Sequence, residues 1–238
     1  MSSKRTCPKA PTAPKGELPQ TEPIPSGTHL TRFRTKPTSP AIAYPANSFN
    51  PNIGKNWEIA GDGARFNPFP VPSGGNAPTL YAADSYAAAA LESVFHDVPH
   101  EANPEFARSR VLLWQYVQLR TKRELQIVTL TNPQLRQLHV RRRRESLRED
   151  ELIHTPVLQY PQTRTWAKFL YDHVPALDGL AWRPRLGGQG TAYMFFGDRC
   201  DPTDLEILGV PTDLDSAVEY AKIKAVATAS NIRIIDGR

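Results

Sequence analysis

Residues Gly61 to His96, GDGARFNPFPVPSGGNAPTLYAADSYAAAALESVFH, decide how the rest of this chain is read. Gly61, Gly63 and the pair Gly74–Gly75 break up the first half, while Pro68, Pro70 and Pro72 keep it extended. Thr79–Ala82 reads as a short strand. Asp84 or Ser85 is placed to cap a helix by accepting from its first free amides. That helix is expected from Tyr86 to about Val98, because Leu91, Val94, Phe95 and Val98 recur at helical spacing and make one face core. Glu92 falls beside that stripe, and Ala88 and Ala89 one turn back leave room for a ligand. Arg65, Tyr81 and Glu92 thus come from a loop, a strand and a helix, which a fold can bring to one cleft.

Upstream, residues 1–27 carry Pro8, Pro11, Pro14, Pro19, Pro23 and Pro25 with few large apolar side chains. Proline removes a backbone donor and fixes φ, so this segment is expected to be a disordered or extended arm, with residues 28–238 forming the domain. His29–Arg34 suits a first strand with Leu30 and Phe33 inward. A long irregular excursion from Pro37 to Asp62 follows. Downstream, Ser109–Leu119 and Leu125–Leu130 are β-branched and aromatic-rich, as strands are. Asn132 is expected to cap a short helix ending near His139, and Arg141–Arg144 with ESLREDEL to form a charged, exposed connection. A helix is expected over Thr163–Val174, strands over Gly179–Trp182 and Ala192–Phe196 about a glycine-rich loop, and a strand over Leu205–Leu208. A helix over about 214–226 and a strand over Arg233–Ile235 end the chain. This partly alternating order predicts an α+β domain with a curved, mainly antiparallel sheet and flanking helices.

The chain has 238 residues, 39% of them apolar, enough for one domain with a real core. No apolar run approaches the roughly 18–20 residues of a membrane span, and no membrane partner is expected. The basic, proline-rich start has no apolar stretch behind it, so a cytoplasmic protein is expected rather than a secreted one. Cys7 and Cys200 form neither a metal-type spacing nor a disulfide framework, and no metal or prosthetic group is expected. The net charge of +5 suits a phosphate-bearing partner, a nucleic acid or a dinucleotide. No helix-turn-helix, zinc knuckle or aromatic-studded RNA-binding strand supports direct nucleic-acid binding.

The three central side chains have complementary chemistry. Arginine presents a planar fork of donors to phosphate oxygens. Tyrosine stacks on a flat heterocycle while donating from its hydroxyl. A sheltered glutamate can hold ribose hydroxyls or stabilise a cation at an anomeric carbon. Read singly, they are a turn residue, a core residue and a solvated helix residue; only their meeting makes a site.

The segments GARFN, LYAADS and AAAALESVFH, in this order, resemble the RES domain family. Leu30-Thr-Arg32 is similar to that family's opening strand, and LQIVTLTNPQL to a strand-then-helix segment. YPQTRTWAKFLYDHVPALDGLAWRPR followed by AYMFFGD resembles its C-terminal region. The resemblance spans about residues 28–209. It implies an ADP-ribosyltransferase-like core and a bacterial toxin that degrades NAD⁺ and is neutralised by a cognate antitoxin protein. By this resemblance Arg65, Tyr81 and Glu92 are catalytic. Arg32 and Arg65 hold the pyrophosphate or ribose side, Asn67 supports the loop, and Tyr81 packs against the nicotinamide end. Glu92 stabilises the oxocarbenium-like ribose, and water or inorganic phosphate as co-substrate attacks it. His96 stands either behind Glu92 or as a structural histidine.

Two departures follow. Ala64-Arg65-Phe66 stands where the family has Gly-Arg-Trp. Pro184 stands where a serine is expected, leaving Arg183 or Arg185 to take its place, with Arg183 the expected substrate contact. The alternatives are a protein ADP-ribosyltransferase using the same site, a catalytically silent binding module, and a nucleic-acid binder built on Arg141–Arg144.

Overall fold

The computed structural model describes residues 6–14, 17–37, 44–99, 102–138, 147–187 and 189–236. The expected roles of Arg141–Arg144 and His139 fall outside them. In chain order the elements are β1 (Glu22–Ile24), β2 (His29–Thr35), β3 (Thr79–Ala83), α1 (Tyr86–Glu92), β4 (Glu105–Ala107), α2 (Arg108–Val111) and β5 (Trp114–Thr121). They continue with β6 (Leu125–Thr129), α3 (Glu149–Leu152), α4 (Tyr160–His173), β7 (Gly179–Trp182), β8 (Ala192–Phe196), β9 (Leu205–Asp213), α5 (Ala217–Ala229) and β10 (Arg233–Ile235).

Eight strands form one sheet in the order β1-β6-β7-β8-β3-β2-β5-β9. Every neighbouring pair is antiparallel except β6 and β7, which run parallel with Ile127 opposite Gly179. A parallel pair needs a crossover, and the connection containing α4 supplies it. β10 and β4 pair in a separate two-stranded parallel sheet. The fold is α+β with a mostly antiparallel mixed sheet.

β2 lies inside the sheet between β3 and β5, so both of its edges are paired. Leu30 and Phe33 are both buried, but three residues apart on a strand they face opposite ways and join different core clusters. Arg32 and Arg34 share the Leu30 face. One core cluster gathers Trp166, Phe169 and Leu170 of α4 against β6, β7 and β8. A second packs α1 and α5 around Leu91, Phe95 and Ile223.

Several elements differ from the sequence expectation for visible reasons. α1 stops at Glu92 rather than near Val98, where Ser93 leaves helical geometry and the Phe95 N–H reaches back to the Ala90 carbonyl at 3.0 Å. That wider turn still buries Val94, Phe95 and Val98, which is why the apolar spacing imitates a longer helix. The start of SRVLLWQYVQL is taken by α2, and the strand begins only at Trp114. Asn132 caps nothing: the turn at Gln134–Gln137 has Pro133 at its start and no side-chain cap. Leu147, Glu151 and Leu152 are buried, not part of an exposed charged connection.

The proline-rich arm is held against the domain. β1 pairs with β6, the Trp166 indole donates to the Pro8 carbonyl at 2.7 Å, and the Cys7 N–H donates to Gln159 Oε1 at 2.7 Å. Proline leaves backbone carbonyls free as acceptors, so an extended arm can be bound without helix or central-strand pairing. Among the described residues no helix is long and apolar enough to cross a membrane.

Candidate active site

The loop carrying Arg65 is held from α4. The Arg164 side chain is fully buried and its guanidinium donates to four carbonyls of that loop. These are Ala64 at 3.0 Å, Trp57 at 2.9 Å, Ile59 at 2.8 Å and Ala60 at 3.3 Å. A rigid five-donor fork suits an irregular backbone that has no ladder of its own. The neighbouring Thr163 hydroxyl donates to the carbonyl of Arg65 itself. Gly63 adopts φ +136°, and a Cβ there would stand 2.3 Å from Pro68 Cδ and 2.6 Å from the Asn67 carbonyl oxygen. Only glycine fits that turn.

Asn67 and Tyr81 form a chain of hydrogen bonds. The Tyr81 hydroxyl donates to Asn67 Oδ1, and Asn67 Nδ2 donates to Asn52 Oδ1 at 2.9 Å. Asn52 Nδ2 in turn donates to the Ala77 carbonyl at 2.8 Å and to Thr79 Oγ1 at 3.2 Å. The chain ties the Arg65 loop to β3. Burial pushes the Tyr81 hydroxyl well above the usual tyrosine range, so it stays a neutral donor.

Glu92, the last residue of α1, meets Arg65 from the other side. Its Oε2 lies 3.6 Å from Arg65 Nη1, and the two side chains are only 6% and 3% exposed. Its Oε1 accepts the backbone N–H of Arg185 at 2.7 Å. The Arg185 guanidinium donates to the carbonyls of His96 and Val98, each at 2.8 Å, bolting the β7–β8 connection to the turn after α1. Arg65 is left with Nε and Nη2 buried and unpartnered among the described residues, as is the indole N–H of Trp182. All three are donors, so they call for an acceptor-rich occupant.

Arg65, Tyr81, Glu92, Asn67 and Arg32 together line one cavity of about 430 Å³, with Trp182 on its wall. Trp182 meets the Tyr81 ring edge-on at 6.0 Å, and the Arg65 guanidinium lies 5.7 Å from the centre of the Tyr160 ring. The cavity size is ordinary for a ligand site. Arg32 donates to the Ser48 carbonyl at 2.9 Å. Burial, with the Arg34 charge adding, lowers its pKa to about 10, which leaves it cationic at neutral pH.

Arg183 stands exposed, outside the walls of this cavity. His96 lines the cavity half-buried, with Nδ1 3.0 Å from Asp97 Oδ1. The small residues expected to admit a ligand, Ala88 and Ala89, are buried. Gly190 packs there instead, where a Cβ would come 3.0 Å from the Ala88 Cβ and 2.7 Å from Ser85 Oγ. Among the described residues no cluster of His, Cys, Asp or Glu could hold a metal ion.

The sequence reading passed over Asn52, Thr163, Arg164 and Trp182. Arg164 and Trp182 lie within quoted segments, and an arginine on the otherwise apolar face of α4 was the available signal. Asn52 gave none.

A search of curated proteins returned no match. The family model of the RES domain matches residues 31–214, which contain every element of the cavity just described. The chain belongs to the RES domain family.

Proposed function

We propose that this protein consumes NAD⁺ by cleaving its nicotinamide–ribose bond. The observation that carries the reading is the Arg65–Glu92 pair in the cavity wall, with two Arg65 donors unpartnered among the described residues. A buried ion pair is a poor device for stability, since desolvation offsets most of its attraction. Poised beside a cavity, it suits a substrate that carries both a cation and anions.

In this reading the pyridinium packs against the edge-on pair Tyr81 and Trp182, and the Glu92 carboxylate faces the anomeric carbon. The C–N bond breaks, its electron pair neutralises the pyridinium, and free nicotinamide leaves. Positive charge develops on the ribose, and the fixed carboxylate stabilises it more than the ground state. The Arg185 N–H keeps that carboxylate oriented. The Arg65 Nε and Nη2 donors hold ribose or phosphate oxygens. An oxygen of water or of inorganic phosphate then bonds to the carbon and gives up its proton to solvent, giving ADP-ribose or its phosphate ester.

Incubating the purified protein with NAD⁺, with and without phosphate, tests this. Nicotinamide release that depends on Glu92 supports it; release no greater than from Glu92→Gln removes it. Family membership also supports a toxin-like role, and we propose a neutralising partner protein with it. Co-expression with the neighbouring open reading frame tests that part: rescue of growth supports it, and neither binding nor rescue argues against it.

A further inference from the structure

Asn52, Asn67, Tyr81 and Trp182 share the wall of the cavity that holds Arg65 and Glu92. The hydrogen bonds of the first three run in one direction, fixed from the Asn52 end.

Asn52 is buried at φ +53°, a left-handed turn that asparagine tolerates. Its Nδ2 lies 2.8 Å from the Ala77 carbonyl, which can only accept. That contact sets the amide with Oδ1 toward Asn67. An amide oxygen also only accepts, so Asn67 turns its Nδ2 to it, at 2.9 Å. Asn67 Oδ1 is left facing the Tyr81 hydroxyl, and the phenol commits its one proton there. What the Tyr81 oxygen offers an occupant of the cavity is therefore lone pairs alone.

Trp182 has the opposite polarity. Its ring meets that of Tyr81 edge-on at 6.0 Å, and its indole N–H is buried and unpartnered among the described residues. An indole nitrogen only donates. One wall thus sets an acceptor and a donor beside two aromatic rings. A planar carboxamide matches that pair, its NH₂ donating and its carbonyl accepting. A carboxylate carries acceptors on both sides, so one of its oxygens meets the Tyr81 lone pairs with no proton between them.

We propose that Asn52 is a positioning residue for substrate choice: through Asn67 it locks Tyr81 as an acceptor, which with the Trp182 N–H admits an aromatic carboxamide and rejects the corresponding acid. This deepens the reading of the cavity as a nicotinamide–ribose cleavage site, on which it rests for the nature of the substrate. The enzyme then consumes NAD⁺ and spares nicotinic acid adenine dinucleotide, which has the same phosphates and the same kind of scissile bond.

The test is a ligand-observed NMR titration of nicotinamide and of nicotinic acid into the full chain at neutral pH, as wild type, Asn52→Gly and Tyr81→Phe. Wild type binds nicotinamide about tenfold or more tightly than nicotinic acid. Asn52→Gly suits the left-handed backbone and frees the Asn67 amide to turn over, and it brings that ratio to about threefold or less. Tyr81→Phe removes only the oxygen, so its fold survives, and it lowers the ratio in the same way even if Asn52→Gly unfolds. The same preference holds in kcat/KM for NAD⁺ against nicotinic acid adenine dinucleotide. No nicotinamide binding, equal or tighter binding of nicotinic acid, or a preference that Tyr81→Phe or folded Asn52→Gly leaves unchanged overturns the proposal. Selective, variant-sensitive binding in a protein that releases no nicotinamide from NAD⁺ keeps the carboxamide pocket and removes the cleavage reading. Nicotinamide release with no preference between amide and acid does the reverse.

Discussion

The backbone N–H of Arg185 donates to the Glu92 carboxylate at 2.7 Å, so the β7–β8 connection orients the residue at the centre of the site. The side chain of Arg185 acts only by anchoring that connection to the His96 and Val98 carbonyls. Arg185→Ala retains the N–H and is expected to lose about tenfold in kcat. Arg185→Pro removes the donor, and a lost hydrogen bond to a charged group is worth about 1.5–3 kcal/mol, or roughly 10–100-fold. Steady-state kinetics on both should show the loss in kcat more than in KM, with Arg185→Pro the worse of the two.

Arg164 carries the Arg65 loop on four carbonyls. Arg164→Ala is expected to cost about 3 kcal/mol or more, since it strands buried acceptors and leaves a void. Arg164→Lys restores little, because a single ammonium cannot span the set. Lys168→Ala, which breaks an exposed pair with Asp172 one turn along the same helix, should shift stability by less than about 1 kcal/mol. Urea denaturation of the three variants checks this order.

Removal of residues 1–14 strips the Pro8 acceptor from the Trp166 indole and the Ala10 N–H from Thr165 Oγ1. These contacts grip the helix that holds the Arg65 loop. A loss of about 2 kcal/mol, near 4–8 °C in thermal midpoint for a chain of this size, is expected. A midpoint equal to that of the full chain would show the arm to be idle.

The Cys7 and Cys200 thiols are both buried, and burial pushes each from 9.0 up to about 12, with the Glu151 charge adding at Cys7 and the Asp204 charge at Cys200. Their folded pKa values lie above the unfolded ones, so the folded state binds more protons between pH 9 and 12. Stability is therefore full below pH 9 and falls as pH rises through that window, by up to about 1.4 kcal/mol per unit for each thiol. Cys200→Ala should flatten part of this fall in denaturation curves taken from pH 8 to pH 11. Neither thiol should react with an alkylating reagent at pH 8 until the protein is unfolded.

The positions of strands were legible where apolar, aromatic or β-branched residues ran together, as in β2, β3, β6, β7 and β8. Periodicity misled after Glu92, because a wide turn buries Val94, Phe95 and Val98 as a helix would. The meeting of Arg65, Glu92 and Tyr81 in one cavity was expected from the order of the RES-like segments. Two partners of that trio were harder to read because they act through backbone. Arg185 contributes its N–H, which leaves no side-chain pattern, and the one sign of Arg164, which bonds to carbonyls, is an arginine on the otherwise apolar face of α4. Asn52 enters the site through a loop with no periodicity at all.

The central claim is that the Glu92 carboxylate, set 3.6 Å from Arg65, breaks the nicotinamide–ribose bond. The most direct measurement is free nicotinamide released from NAD⁺ by wild type and by Glu92→Gln, with equal thermal midpoints as the control for folding. A loss of about 10² to 10³ in kcat for Glu92→Gln is the predicted result. Equal release by the two folded proteins, or none by wild type, would contradict it.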